Sequence, residues 1–194
     1  SGKYKILLSW FGACLNFPDY TTKPYASWMD DDWLSGCENN FNKINLYPTK
    51  PIIIAQQWNP RPLICTSKNC TEEPNVENYY TIVKLQLRKL ADLLEGRGLY
   101  IIGQVPAPRK SMVQCMKKLN NQACTRITDE FNGDRVKTNR VLKDFASKHK
   151  EIHFIDPFVA TCSANNACNT IVDNKNLFFD GGHLSQYGSN ITWA

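Results

Sequence analysis

Pro51-Ile-Ile-Ile-Ala55 decides the fold. The run is continuous, β-branched and of strand length, bounded by proline and by polar Gln56-Gln57, so it reads as a buried strand. Downstream, Val76, Tyr79, Val83, Leu87, Leu90 and Leu94 recur at steps of three and four, which predicts an amphipathic helix over Val76 to Glu95. Gly96 and Gly98 end it. Leu99 to Val105 is a second strand, stopped by Pro106. Asp134 to Lys148 is a second helix, with a sparse apolar face of Val136, Val141, Leu142 and Phe145. Glu151 to Ile155 is a third strand, followed by Asp156-Pro157. Upstream, Tyr4 to Ser9 has the length of a further buried strand. Phe11 to Tyr47, rich in Asn, Asp, Pro and Trp, reads as an irregular excursion. Arg61 to Pro74, the stretch up to Arg126 and the stretch from Pro157 to Leu177 read as loops. Strand, helix, strand, helix, strand predicts an α/β fold: a three-layer α/β/α arrangement with a central, mostly parallel sheet. In such sheets ligands bind at the C-terminal strand ends. The most polar loops after the strands are Gln56–Asn59, Gln104–Pro108 and Asp180–His183.

At 194 residues the chain is long enough for one domain with a real core, and no linker divides it. The net charge of +5 is dispersed. Its densest cluster, Arg109-Lys110 with Lys117-Lys118, is too thin for a nucleic-acid footprint, so no nucleic-acid partner is expected. Eight cysteines, an even number, point to disulfides and an oxidising compartment. Eight allow 105 pairings. Their order suggests the local pairs Cys14 with Cys37, Cys65 with Cys70, Cys115 with Cys124, and Cys162 with Cys168, because short loops cost least entropy to close. No Cys-x-x-Cys knuckle occurs, so no metal is expected. No cofactor motif is present. No apolar run reaches the roughly twenty residues of a membrane span, and no signal peptide is visible. A disulfide-rich chain without an export signal reads as a fragment of a longer protein.

Only three histidines are available. His149 sits between lysines at a helix end and reads as solvated. His153 alternates with Ile152 and Phe154 and reads as a strand-face residue. His183 follows Asp180-Gly-Gly by three residues, behind Phe178-Phe179. A histidine acting as general base needs its second ring nitrogen bonded, so that tautomer and ring plane are fixed. A carboxylate across a tight Gly-Gly turn supplies that bond, and glycine tolerates positive φ there. A plain surface turn is the bland alternative.

The longer string Leu177-Phe-Phe-Asp180-Gly-Gly-His183-Leu-Ser185-Gln-Tyr-Gly188 resembles the terminal block of the SGNH/GDSL superfamily. More narrowly, it resembles the C-terminal SGNH domain fused to membrane acyltransferase-3 proteins, which O-acylate surface polysaccharides. Ile52 to Trp58, Tyr100 to Pro106, and Phe154-Ile-Asp-Pro157 with Cys162 and Cys168 are similar to further segments of that family, in order. Cys14 and Cys37 fall where its first cysteine pair usually sits. The resemblance implies an SGNH-like, flavodoxin-like sheet over residues 1–194 as a single domain with disulfide-stapled loops. It also implies that Asp180 and His183 complete a catalytic triad.

The family's nucleophile lies in a Gly-Asp-Ser motif that this chain lacks. Two readings stay open: Ser9 is a degenerate nucleophile, or Lys3 to Cys14 is the family's second strand and the first strand with its Gly-Asp-Ser block lies upstream. For the oxyanion, Asn59 is the nearest donor by position and Gln57 the alternative, while an ordinary Asn-Pro turn explains Asn59 equally. The implied activity is an extracytoplasmic O-acyltransferase or esterase, moving an acyl group, expected to be acetyl, to or from a glycan hydroxyl. Its partners would be the glycan acceptor, the acyl donor and a tethered transmembrane acyltransferase. Its place would be the periplasmic face of a membrane protein, or a secreted or lumenal setting. The alternative is a non-catalytic SGNH-like domain that binds a glycan or protein partner. Trp10, Trp28, Trp33 and Trp58 would form either a sugar-stacking surface or core.

Overall fold

The computed structural model describes residues 14–15, 17–24, 29–66, 70, 75, 77–107, 126–127, 129–162, 168–180 and 182–192. Along the chain the strands are β1 (Tyr20–Thr22), β2 (Ile52–Ala55), β3 (Leu63–Cys65), β4 (Leu99–Ile102), β5 (Arg126–Ile127), β6 (Ile152–Ile155), β7 (Cys168–Asn169), β8 (Ile171–Val172) and β9 (Lys175–Asn176). The α-helices are α1 (Asp31–Asn42), α2 (Tyr79–Leu93), α3 (Asp129–Ala146), α4 (Phe158–Thr161) and α5 (Gln186–Thr192). The three expected apolar runs form a parallel sheet in the order β2-β4-β6, flanked by helices, which makes the chain an α/β protein. Parallel neighbours need long crossovers, and α2 and α3 lie in those connections. The expected strand Tyr4 to Ser9 lies outside the described residues, as do Cys115 and Cys124.

Two compact units make up the chain, Ser1–Tyr100 with His149–His153, and Ile101–Lys148 with Phe154–Ala194. In the first, α2 buries Tyr79, Val83, Leu87 and Leu90 of the stripe read from the sequence, together with Ile82, Gln86 and Ala91. Asn75 and Asn78 exchange side-chain bonds with each other's backbone N–H ahead of the helix, at 2.9 and 2.8 Å. Gly96 follows in the left-handed conformation at φ +85°, where glycine carries no Cβ penalty. Gln86 is buried because it holds Asp19: its Oε1 accepts the Asp19 N–H, and its Nε2 donates to Asp19 Oδ2, both at 2.9 Å. Lys89 Nζ reaches the same carboxylate oxygen at 2.6 Å. That knot sits at the root of β1, which pairs antiparallel with β3 (Tyr20↔Cys65).

The excursion over Phe11 to Tyr47 contains a helix the sequence reading did not foresee. Asp30 caps α1 by accepting the Trp33 N–H at 3.0 Å, and Asp31 and Asp32 face the positive end of its dipole. Among its described side chains, Trp33 and Cys37 are the buried ones, packed with Cys14 and Met29. The Cys14–Cys37 disulfide adds what this thin face lacks. Cys65–Cys70 closes the loop after β3.

In the second unit the buried face of α3 is Thr138, Asn139, Leu142 and Ala146, with Arg135, Val136 and Phe145 half-buried. The face looked sparse because polar residues occupy it. Asn139 Oδ1 accepts the Gln104 N–H at 2.7 Å and its Nδ2 donates to Gln104 O at 3.0 Å. A side-chain amide thus takes both backbone groups of Gln104, and β4 ends at Ile102 rather than at the expected Val105. Gly103 permits this, since a Cβ there would come within 2.8 Å of Asn139 Oδ1. Arg135 Nη1 donates to Val105 O at 2.9 Å. Asp156, after β6, accepts the Phe158 N–H at 3.1 Å. Phe158, Cys168, Leu177 and Phe178 form the core beneath the C-terminal segment, pinned by Cys162–Cys168. Asp173 and Asn174, both at positive φ, turn β8 into β9.

Candidate active site

The C-terminal site is built on a short antiparallel turn. Phe178 and Leu184 form a bridge, and the Phe179 N–H donates to His183 O at 2.8 Å. Phe178 is buried at 1% exposure, with Leu184 packed against the same core. Strand geometry therefore turns the intervening partners, Phe179 and His183, to the other face. Both are open: Phe179 is 72% exposed and the His183 side chain 81%.

The far end of the turn is locked by Ser185, which caps α5. Its hydroxyl accepts the Gly188 N–H at 2.9 Å and donates to Asn176 O at 2.6 Å. Its own N–H donates to Leu177 O at 2.9 Å. Gly188 has to be glycine, because a Cβ there would lie 1.9 Å from Leu177 O. Tyr187 Oη donates to Asp173 Oδ2 at 2.8 Å, which ties α5 to the β8–β9 turn. The Leu-Ser-x-x-Gly part of the block is thus a capped helix start pressed on the preceding strand. With donor and acceptor both engaged, the Ser185 hydroxyl is a structural cap.

Asp180 organises the turn between these ends. Its Oδ1 accepts the N–H groups of Gly182 and His183, each at 2.8 Å. Its Oδ2 receives His183 Nδ1 at 2.8 Å. The His183 side chain, then the Gly182 N–H, hold the Asp180 carboxyl below the usual carboxylate range. An ionised Asp180 fixes Nδ1 as the donor, so in the neutral ring Nε2 is the acceptor. Among the described residues none hydrogen-bonds Nε2. The expected positive φ is not used at Gly182, where a Cβ would meet open space.

The other sequence candidates lie elsewhere. Asn59 and Gln57 belong to the first unit, in the turn after β2. Arg61 shapes that turn by donating to Asn59 O at 3.3 Å and to Gln57 O at 2.8 Å. Ser9 lies outside the described residues, as do Trp10 and Trp28. Trp58 is fully buried and Trp33 nearly so, which makes both of them core and not a stacking surface. His149 is held through Nδ1 by Arg88 at 2.8 Å. His153 is exposed, with its ring 4.7 Å from that of Tyr100. Sequence reasoning missed Phe179 and the Ser185 cap. The bridge that separates Phe178 from Phe179 is what distinguishes two neighbouring aromatics, and only the doublet was visible in the sequence.

The structure thus gives an α/β fold whose C-terminal turn holds an aspartate-oriented histidine. Residues 2–192 match the family model described as the SGNH domain fused to AT3 domains, and the chain belongs to that family. Among solved structures it is similar to the periplasmic domain of a lipopolysaccharide acetyltransferase from Salmonella ser. Paratyphi A. The TM-score is 0.59 at 17% identity, over 83% of this chain and 60% of that one. At this identity the likeness shows the fold alone. This chain therefore spans about 60% of the length of that domain. Comparison with curated proteins finds no match.

Proposed function

We propose that this chain is the extracytoplasmic part of an O-acyltransferase or carbohydrate esterase, moving a short acyl group, acetyl first among them, to or from a glycan hydroxyl. The observation that carries this reading is the His183–Asp180 pair, with Nδ1 fixed by a carboxylate and Nε2 toward solvent. Family membership supports it: SGNH domains of this kind are fused to AT3 domains, so a membrane acyltransferase is the proposed tether. The periplasmic setting of the Salmonella domain supports an extracytoplasmic location, and the disulfides agree with it. Among the described residues no helix is long and apolar enough to cross a membrane.

In the proposed reaction a serine hydroxyl gives its proton to His183 Nε2 as its Oγ attacks the acyl carbonyl. Asp180 stabilises the imidazolium without taking the proton. The donor's leaving oxygen departs with the proton from Nε2–H, leaving an acyl-serine. A sugar hydroxyl, or water, then passes its proton to Nε2 and attacks the acyl carbon. The serine oxygen leaves and recovers the proton. Ser9 is the candidate nucleophile within these 194 residues, and a Gly-Asp-Ser serine elsewhere in the protein is the other. Asn59, with Gln57 second, is proposed to donate to the oxyanion, where one such donor typically contributes about 3 kcal/mol.

The test is turnover of a chromogenic acetyl ester by the full-length protein and by His183→Ala. Loss of about 10²–10⁴-fold is expected for a general base. Equal turnover by the two proteins would remove His183 from the chemistry and leave binding as the domain's role.

A further inference from the structure

We infer that the Phe179 ring is the platform on which the acceptor sugar rests while His183 takes its proton. The inference depends on the acyl-transfer reading for its chemistry and on the register of one bridge for its geometry.

An exposed aromatic side chain is by itself ordinary. Phe179 is set apart by its position. The bridge pairs Phe178 with Leu184, which makes Phe179 and His183 the next directly opposed pair, and their backbones are joined at 2.8 Å. Opposed residues of an antiparallel pair carry Cβ atoms about 5 Å apart on one face. The apolar phenyl ring therefore stands beside the imidazole on the solvent side, with both side chains mostly open. The buried alternative was available one residue earlier and is taken by Phe178 at 1% exposure.

The reaction brings one hydroxyl of a sugar to Nε2, so the ring bearing it must lie within about one ring width of His183. A pyranose has a face of C–H groups of about the size of a phenyl ring, and an aromatic face is its apolar complement. A short acyl group offers only a methyl, which would cover little of Phe179. The sugar acceptor is therefore the occupant that fits. Phe179 contributes area and orientation at low entropic cost, since it has only two side-chain torsions. It would act as a positioning residue and take no part in proton transfer.

Saturation-transfer NMR on the 194-residue chain tests this, with methyl glucoside, methyl galactoside and methyl rhamnoside as probes and glycerol as the ring-free control. At least one glycoside should receive saturation at its ring C–H protons, and glycerol should receive none. Phe179→Ala should weaken that binding roughly tenfold, the order expected for one aromatic contact, while Phe179→Trp restores it and His183→Ala keeps it. Binding unchanged in Phe179→Ala, equal response from glycerol, or no glycoside binding to the wild type would each overturn the proposal. Hydrolysis of the chromogenic ester without sugar separates this result from the reading it rests on. Unchanged hydrolysis in His183→Ala would instead sink the acyl-transfer reading and leave the sugar-binding result standing.

Discussion

Asp19 and Asp180 use the same chemistry in two different regions. Each carboxylate accepts nitrogen donors, Asp19 from side chains of α2 and Asp180 from its own turn. Asp19 is buried, and its side chain meets Gln86 and Lys89. Those partners end in packed structure, so the region holds shape. Asp180 is 40% exposed, and its ring partner has a second nitrogen that faces water. A polar cluster whose last member still has an open site can act on something else. On the proposed reading, that open member makes His183 the reactive end of the turn.

Exchange of function between the two regions would break the comparison. Asp180→Asn keeps an oxygen for the Gly182 and His183 N–H groups but places an NH₂ donor against Nδ1, which favours the wrong tautomer. Ester turnover should fall about 10²–10⁴-fold, while stability by urea melts changes by less than about 1 kcal/mol, as for an exposed pair. Asp19→Ala should do the reverse and lose about 2–3 kcal/mol in the same melts. That is below the ~3–5 kcal/mol of a fully buried pair, because Lys89 is part-exposed and regains water. Its turnover, measured where the variant is folded, should match wild type.

Two glycines sharpen the contrast within the C-terminal region. Gly188→Ala forces a methyl into the Leu177 carbonyl and should cost about 1–3 kcal/mol in thermal or urea unfolding. The smallest effects concern Asp180 titration and Gly182. The Asp180 pKa followed by carboxyl NMR should lie below the ordinary ~3.9 and move up toward it in His183→Ala, since the His183 side chain is its largest cause. The sign for stability follows from the depressed value. The contribution is complete above the unfolded pKa and disappears as pH falls through the lower folded one. Gly182→Ala, with open space at its Cβ, should shift stability by no more than about 0.5 kcal/mol.

The sheet was legible because its strands are short runs rich in β-branched and aromatic residues, and α2 because a helix with one apolar face declares its period. Helix α1 was not, since among its described side chains Trp33 and Cys37 are the buried ones and a disulfide backs them. Its cap residue and acidic first turn were present in Asp30, Asp31 and Asp32, but the surrounding Asn, Pro and Trp outweighed them. β1 and β3 were hidden inside stretches read as irregular, because three-residue strands carry too few positions to show alternation. The polar face of α3 misled in another way: Asn139 serves the Gln104 backbone, so burial there follows hydrogen bonding rather than hydropathy. At the site, Asp180 and His183 were readable from spacing and family resemblance. The orientation of Phe179 was not, because which of two adjacent aromatics faces water is decided by the bridge register.

That register makes the turn a matter of parity. Phe178 and Leu184 pack on the core, and Phe179 and His183, the next opposed pair toward the tip, face solvent. Removing or adding one residue between Asp180 and His183 would shift the return arm by one position. His183 would then be sent inward and Leu184 outward. Insertion of a residue pair keeps the alternation and lengthens only the tip. The segment therefore tolerates changes of composition at Gly182 far better than changes of count, and an odd change of length would silence the site while leaving Asp180 and His183 in the sequence.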